Sequence, residues 1–292
     1  MTDSVASPTS QYTDAGGLRL HHLDWGNAGR TPVVLLHGIR LHAHCFSNFA
    51  RRFRDGYHVL ALDARGHGDS DWCEDQDYHQ HTYYEDLCAV IDGRELQPLV
   101  LIGHSLGART AMLYTHLHPE RVVKLALVDM GAGLPQPISR QDFSRVTETP
   151  PPRDFASHEE ASDYLAAILS QAPREMIEES VEYGMRQKEN GRYTWKYDPR
   201  LGGTPQPQPG KREWDLWEVV KTITCPTLLL HGANSRVVTP EIAARMQAEM
   251  TDCRLARIER AGHALFTEQP DVFAEHVGKF LNGGGTATPD RG

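Results

Sequence analysis

The sequence has little of what marks a secreted, membrane-spanning or nucleic-acid-binding chain. Its first ten residues, MTDSVASPTS, have no basic start and no apolar run, so no secretory leader is expected. Its apolar runs, at 33–36, 99–102 and 227–230, are far too short to cross a bilayer. Cysteine is scarce: Cys45, Cys73, Cys88, Cys225 and Cys253 are odd in number and contain no CxxC pair. That usage predicts reduced thiols and a cytoplasmic setting rather than a disulfide framework. Charge of one sign is never concentrated, although the formal net charge is -9. Without a basic footprint, neither nucleic acid nor an anionic membrane is an expected partner.

What remains is an ordinary globular composition, 39% hydrophobic and 24% charged over 292 residues. Short apolar runs alternate with longer helix-like stretches, which predicts βαβ units and a mainly parallel sheet. Strands are expected at 18–25, 33–36, 58–62, 99–102, 122–128, 227–230 and 255–258. Helices are expected at 44–53, 81–92, 104–118, 240–250 and 270–281. Thr239 before Pro240 supplies an N-cap oxygen and a proline at the first helical position.

The alternation stops at 131–220, where PQP, TPPPR and GGTPQPQPG separate two acidic, helix-like stretches at 158–171 and 173–189. Prolines oppose continued sheet. The region therefore reads as an inserted, mainly helical cap (131–220) between two parts of a core, 1–130 and 221–282. Residues 283–292 read as a disordered tail.

The strongest chemical signal is Gly103-His104-Ser105-Leu106-Gly107, set between an apolar strand and a helix. A nucleophile on a sharp strand-to-helix turn needs small neighbours, and the helix N-terminus favours developing negative charge. A second signal is His37-Gly38-Ile39, straight after the strand at 33–36. The N–H groups of Ile39 and Leu106 would form an oxyanion hole. His37, Gly38 and His104 are the expected substrate contacts. The pairs His42/His44 and His79/His81 lack the helical spacing of a zinc motif, so no metal is expected.

Over nearly its whole length the chain resembles the α/β-hydrolase superfamily. The matching segments are LLHG at 35–38, DARGHGDS at 63–70, GHSLG at 103–107, CPTLLLHG at 225–232 and AGHALFTEQP at 261–270. The resemblance implies an α/β fold with Ser105 as nucleophile and His263 as base, and it implies no cofactor. Asp63 and Arg65 are then loop braces rather than catalysts. One departure stands out. In many relatives the acid lies in the loop after the strand at 227–230, where this chain has Ser235. Some relatives carry the acid two strands earlier, and the matching residue is Asp129. Asn234 and Glu241 are the alternatives.

A serine, an acid and a histidine in that order predict acyl transfer, with imidazole taking and returning the serine proton. Activity should then fall as acid protonates the base. The expected substrate is a small or medium apolar carboxylic ester or lactone. Carbon–carbon bond hydrolysis, cofactor-free oxygenation of an N-heteroaromatic compound and a ligand receptor with a vestigial triad are the other readings. The expected assembly is a monomer or homodimer. Removing the Asp129 carboxylate, as Asn or Ala, should cost orders of magnitude in kcat, whereas Ser235→Ala should not.

Overall fold

The computed structural model describes residues 7–133, 154–201 and 211–283. The parts of the expected insertion at 134–153 and 202–210, and the expected tail beyond Gly283, lie outside the described residues.

Eight strands form one sheet in the order β1-β2-β4-β3-β5-β6-β9-β10. They are β1 (Thr9–Ala15), β2 (Leu18–Asp24), β3 (Pro32–Leu36), β4 (His58–Leu62), β5 (Leu99–His104), β6 (Val122–Val128), β9 (Thr227–Gly232) and β10 (Cys253–Ile258). β1 and β2 are antiparallel to their neighbours, and the other six strands run parallel. The expected α/β fold with a mostly parallel sheet is therefore observed.

Side chains on a strand alternate between faces, and that alternation builds two cores. Val34, Leu36, Leu60, Leu62, Leu99 and Leu101 face one layer. Val33, Leu35, Val59, Ala61, Val100 and Ile102 face the other. The first layer is covered by α2 (Gln80–Gly93), α3 (Leu106–Leu117), α6 (Leu216–Lys221) and α7 (Pro240–Glu249). The second is covered by α1 (Ser47–Phe53), α8 (Leu265–Glu268) and α9 (Pro270–Asn282). Parallel strands point their carboxyl ends to one rim, where the loops at 37–42, 63–70, 105–106, 129–133 and 259–264 gather.

Between β6 and β9 the chain leaves the sheet. Helices α4 (His158–Ile168) and α5 (Arg174–Gly184) are followed by an antiparallel pair, β7 (Met185–Gln187) and β8 (Tyr193–Trp195). The helix expected to reach residue 189 thus ends at Gly184. Asn190-Gly191 explains the break: Gly191 takes φ +80°, as a tight hairpin turn requires. The aromatics of this region mostly pack among themselves. Phe155, Trp195 and Tyr164 share a small core with Val181 and Met185.

Helix α5 is fastened to the sheet domain by three contacts. Arg51 pairs with Glu179 through two hydrogen bonds of 2.7 and 2.8 Å. The His42 ring donates from Nε2 to the Ser180 carbonyl at 3.0 Å. The His44 ring stacks on Tyr183 with centroids 3.6 Å apart.

Burial pushes the His42 and His44 imidazoles down to about 4. An unfolded histidine titrates near 6.5, so acid favours the unfolded or undocked chain. The stability from these neutral rings is intact above about pH 6.5 and is lost as pH falls toward the folded values. Thermal midpoints should therefore drop between pH 6.5 and 4. His42→Gln keeps a donor for Ser180 and takes up no proton, so it should flatten that slope. An unchanged slope would refute the assignment.

Candidate active site

Ser105 sits where β5 hands over to α3, with φ +51° and ψ −112°. A non-glycine residue in that region stores strain of about 1–3 kcal/mol, held by the structure around it. The flanking glycines make the turn possible. A side chain at Gly107 would lie 2.3 Å from the Leu36 carbonyl oxygen, and one at Gly103 would lie 2.5 Å from that of Gly107. The Gly107 amide donates to His37 O (3.1 Å) and the Ser105 amide to Val128 O (3.3 Å), tying the turn to both neighbouring strands.

Asp129 directly follows β6, also with positive φ (+47°), and its side chain is wholly buried. Its amide donates to Leu230 O at 2.8 Å. Three donors meet its carboxylate. The Gly232 amide reaches Oδ1 at 3.0 Å. His263 Nδ1 reaches Oδ2 at 2.8 Å, and the Ser235 hydroxyl reaches the same oxygen at 2.5 Å. An anionic acceptor fixes His263 as the Nδ1–H tautomer, which leaves the lone pair on Nε2.

The His263 loop is clamped from behind. Glu268 accepts the Gly262 backbone N–H at 2.5 Å, and the Asn234 backbone N–H donates to Ala261 O at 2.8 Å. Burial raises the Glu268 carboxyl above its ordinary range. The His104 ring donates from Nε2 to the His263 carbonyl at 2.9 Å and packs 4.5 Å from the His263 ring, centroid to centroid. Its ring atoms occupy the space a Gly38 side chain would need, 2.5 Å from that ideal position.

The expected substrate contacts also have structural partners. His104 is buried, and its Nε2 is spent on the backbone. His37 is buried too: Nε2 accepts the Ala64 amide at 3.0 Å, so Nδ1 carries the proton to Gly38 O at 2.7 Å. Burial lowers the proton affinity of both rings, keeping them neutral. Both rings brace loops, His37 also lines a cavity together with Leu36, Leu106 and Gly107, and Gly38 is small because the His104 ring lies against it. Ile39 and Leu106 are half-buried, and among the described residues neither backbone N–H has an acceptor. Two unspent donors flank the elbow.

The other candidates for the third position lie elsewhere. Asn234 and Glu241 are exposed, and Glu241 sits in the first turn of α7. Asp63 is buried and accepts from His21 Nδ1 (2.7 Å), the Ala43 amide (2.6 Å) and the Asp69 amide (3.0 Å). Burial opposes its charge, but the His21 hydrogen bond and the neighbouring His37 and His21 hold it well below the usual carboxylate range. Arg65 forms a two-bond pair with Asp86, both at 2.6 Å. Both side chains hold loops. His21, Asp63 and Asp69 are the one group of three metal-capable side chains among the described residues. The donors on Asp63 already occupy it. His79 bonds Glu213 at 3.0 Å, and His81 lies 3.5 Å from Glu85. Two supports were not foreseen from sequence, Ser235 and Glu268. The signal for each was its place in a motif segment, Ser235 standing where relatives carry an aspartate.

No helix among the described residues is long and apolar enough to cross a membrane. The model of the alpha/beta hydrolase family matches residues 33–276. The chain is 29% identical over 278 residues to esterase Rv0045c of Mycobacterium tuberculosis, covering 92% of this chain and 88% of that protein. A solved structure of the M. tuberculosis esterase superposes with TM-score 0.77 at 28% identity, covering 95% of this chain and 93% of that one. A 2-hydroxy-6-oxononadienedioate/2-hydroxy-6-oxononatrienedioate hydrolase of Escherichia coli is 25% identical over 288 residues, 96% of this chain and 97% of its own. E-2-(acetamidomethylene)succinate hydrolase shares the fold, with TM-score 0.83 at 21% identity over 94% of this chain and 100% of its own.

Proposed function

The chain belongs to the alpha/beta hydrolase family, and on that premise we propose that it is a serine hydrolase of small or medium apolar carboxylic esters or lactones. The observation that carries this reading is the 2.8 Å bond from His263 Nδ1 to the buried Asp129 carboxylate, at the rim where strained Ser105 stands.

Ser105 Oγ attacks the acyl carbonyl while His263 Nε2 takes its proton. The amides of Ile39 and Leu106 receive the oxyanion, and losing one such donor typically costs about 10²–10³ in rate. His263 returns the proton to the leaving alcohol. Water, deprotonated by the same nitrogen, then releases the acid from Ser105. Asp129 holds the imidazole in the productive tautomer and stabilises its charged form. The relative named as an esterase supports the ester substrate class.

The E. coli relatives named as hydrolases of 2-hydroxy-6-oxo dienedioates support a second reading, cleavage of a carbon–carbon bond beside a ketone. A panel of p-nitrophenyl esters, lactones and a 2-hydroxy-6-oxo dienoate separates the two. A burst of p-nitrophenol equal to the enzyme concentration is expected with a short-chain ester. Turnover of the dienoate alone would replace the ester reading. Five free cysteines fit a reducing cytoplasm. No partner beyond a small-molecule substrate is needed for the chemistry, whether the chain acts as monomer or homodimer.

A further inference from the structure

Ser235 stands where many relatives place the acid, yet it does more than fill the gap. Its Oγ accepts two backbone amides, Val237 N–H at 3.0 Å and Val238 N–H at 3.3 Å. A hydroxyl has two lone pairs and one proton. With both lone pairs taken, the proton has one direction left, toward Asp129 Oδ2 at 2.5 Å. That oxygen is also the one bonded to His263 Nδ1. Oδ1 is held separately by the Gly232 amide.

Resting on the serine-hydrolase reading above, we propose that Ser235 is a positioning residue of the catalytic dyad. Its hydroxyl, aimed by the Val237 and Val238 amides, fixes the carboxylate of Asp129 so that Oδ2 faces His263. The carboxylate has no solvent to orient it, because its side chain is fully buried. Torsion about its Cβ–Cγ bond is broad for such a side chain, so a single amide on Oδ1 leaves it free to tilt. The second donor removes that freedom. A hydrogen bond to an ionised buried group is also stronger than a neutral one.

The decisive experiment is a double-mutant cycle on the full chain with a p-nitrophenyl ester, comparing wild type, Ser235→Ala, Asp129→Ala and the double variant. Ser235→Ala should lower kcat about tenfold or more, with KM within about twofold, as loss of a charge-assisted bond predicts. In the Asp129→Ala background the same change should have no further effect, because the group it acts on is gone. Ser235→Thr keeps the hydroxyl and should restore kcat to near the wild-type value. A purely local role in the 235–238 turn would slow both backgrounds equally, and that result would overturn the proposal. So would full kcat in Ser235→Ala. If wild type hydrolyses no ester and takes no fluorophosphonate, it is the serine-hydrolase reading that fails.

Discussion

Ser105→Ala is expected to lower kcat by about 10⁶ while leaving the thermal midpoint close to the wild-type value, the scale on which triad nucleophiles act. The large kinetic effect follows because no other described hydroxyl occupies the strained elbow between β5 and α3. The small stability effect follows from geometry. The structure gives the Ser105 hydroxyl no cap bond to α3, so alanine removes no helix cap. Alanine is also smaller than serine and keeps Gly103 and Gly107, so the turn needs no new space. Steady-state hydrolysis and a melting curve on the same preparation check both halves. Retained turnover in a protein free of contaminating esterase would remove Ser105 from the chemistry.

The second large effect is expected at Asp129. Asp129→Asn should reduce kcat by about 10⁴ with KM little changed, because an amide turned toward Nδ1 favours the wrong histidine tautomer. Packing argues for the isosteric change over alanine as the first test. The side chain is fully buried, and its carboxylate satisfies Gly232, Ser235 and His263 together. Truncation leaves three donors unpaired, each costing about 1–3 kcal/mol if buried, so Asp129→Ala will also lose stability. Near-normal kcat in Asp129→Asn would sink the assignment and return attention to the 234–241 loop.

These expectations were legible in the sequence to different depths. GHSLG and LLHG could be read because close backbone approach demands glycine at fixed offsets. The sheet could be read because buried parallel strands are short apolar runs. β1 escaped because TSQYTDA is polar and mostly exposed; only the Gly16-Gly17 turn, with φ of +62° and +90°, hinted at a hairpin. The β7–β8 pair was hidden by an acidic stretch whose spacing suited a helix. Asp129 was preferred as the acid over Asn234 and Glu241 from its place after a strand, and the structure adds its 2.8 Å bond to His263. His37 and His104 could be named, but spacing does not say which way a ring at a strand end turns. Both rings turn inward, where backbone groups wait for them.

Ser235 marks the boundary of such reading. Its side chain cannot supply a carboxylate, so from sequence alone Ser235→Ala carries no orders-of-magnitude loss. The structure instead gives its hydroxyl one place to donate, and the expectation becomes a slower enzyme. What decides between the two is the pair of amides on Oγ, which no sequence pattern displays.

The most direct test of the serine chemistry is intact-mass analysis after incubation with a fluorophosphonate, on wild type and Ser105→Ala. One adduct on wild type and none on the variant is the expected result. Folded wild type that stays unmodified, or a variant modified as readily as wild type, would contradict the placement of an activated nucleophile at Ser105.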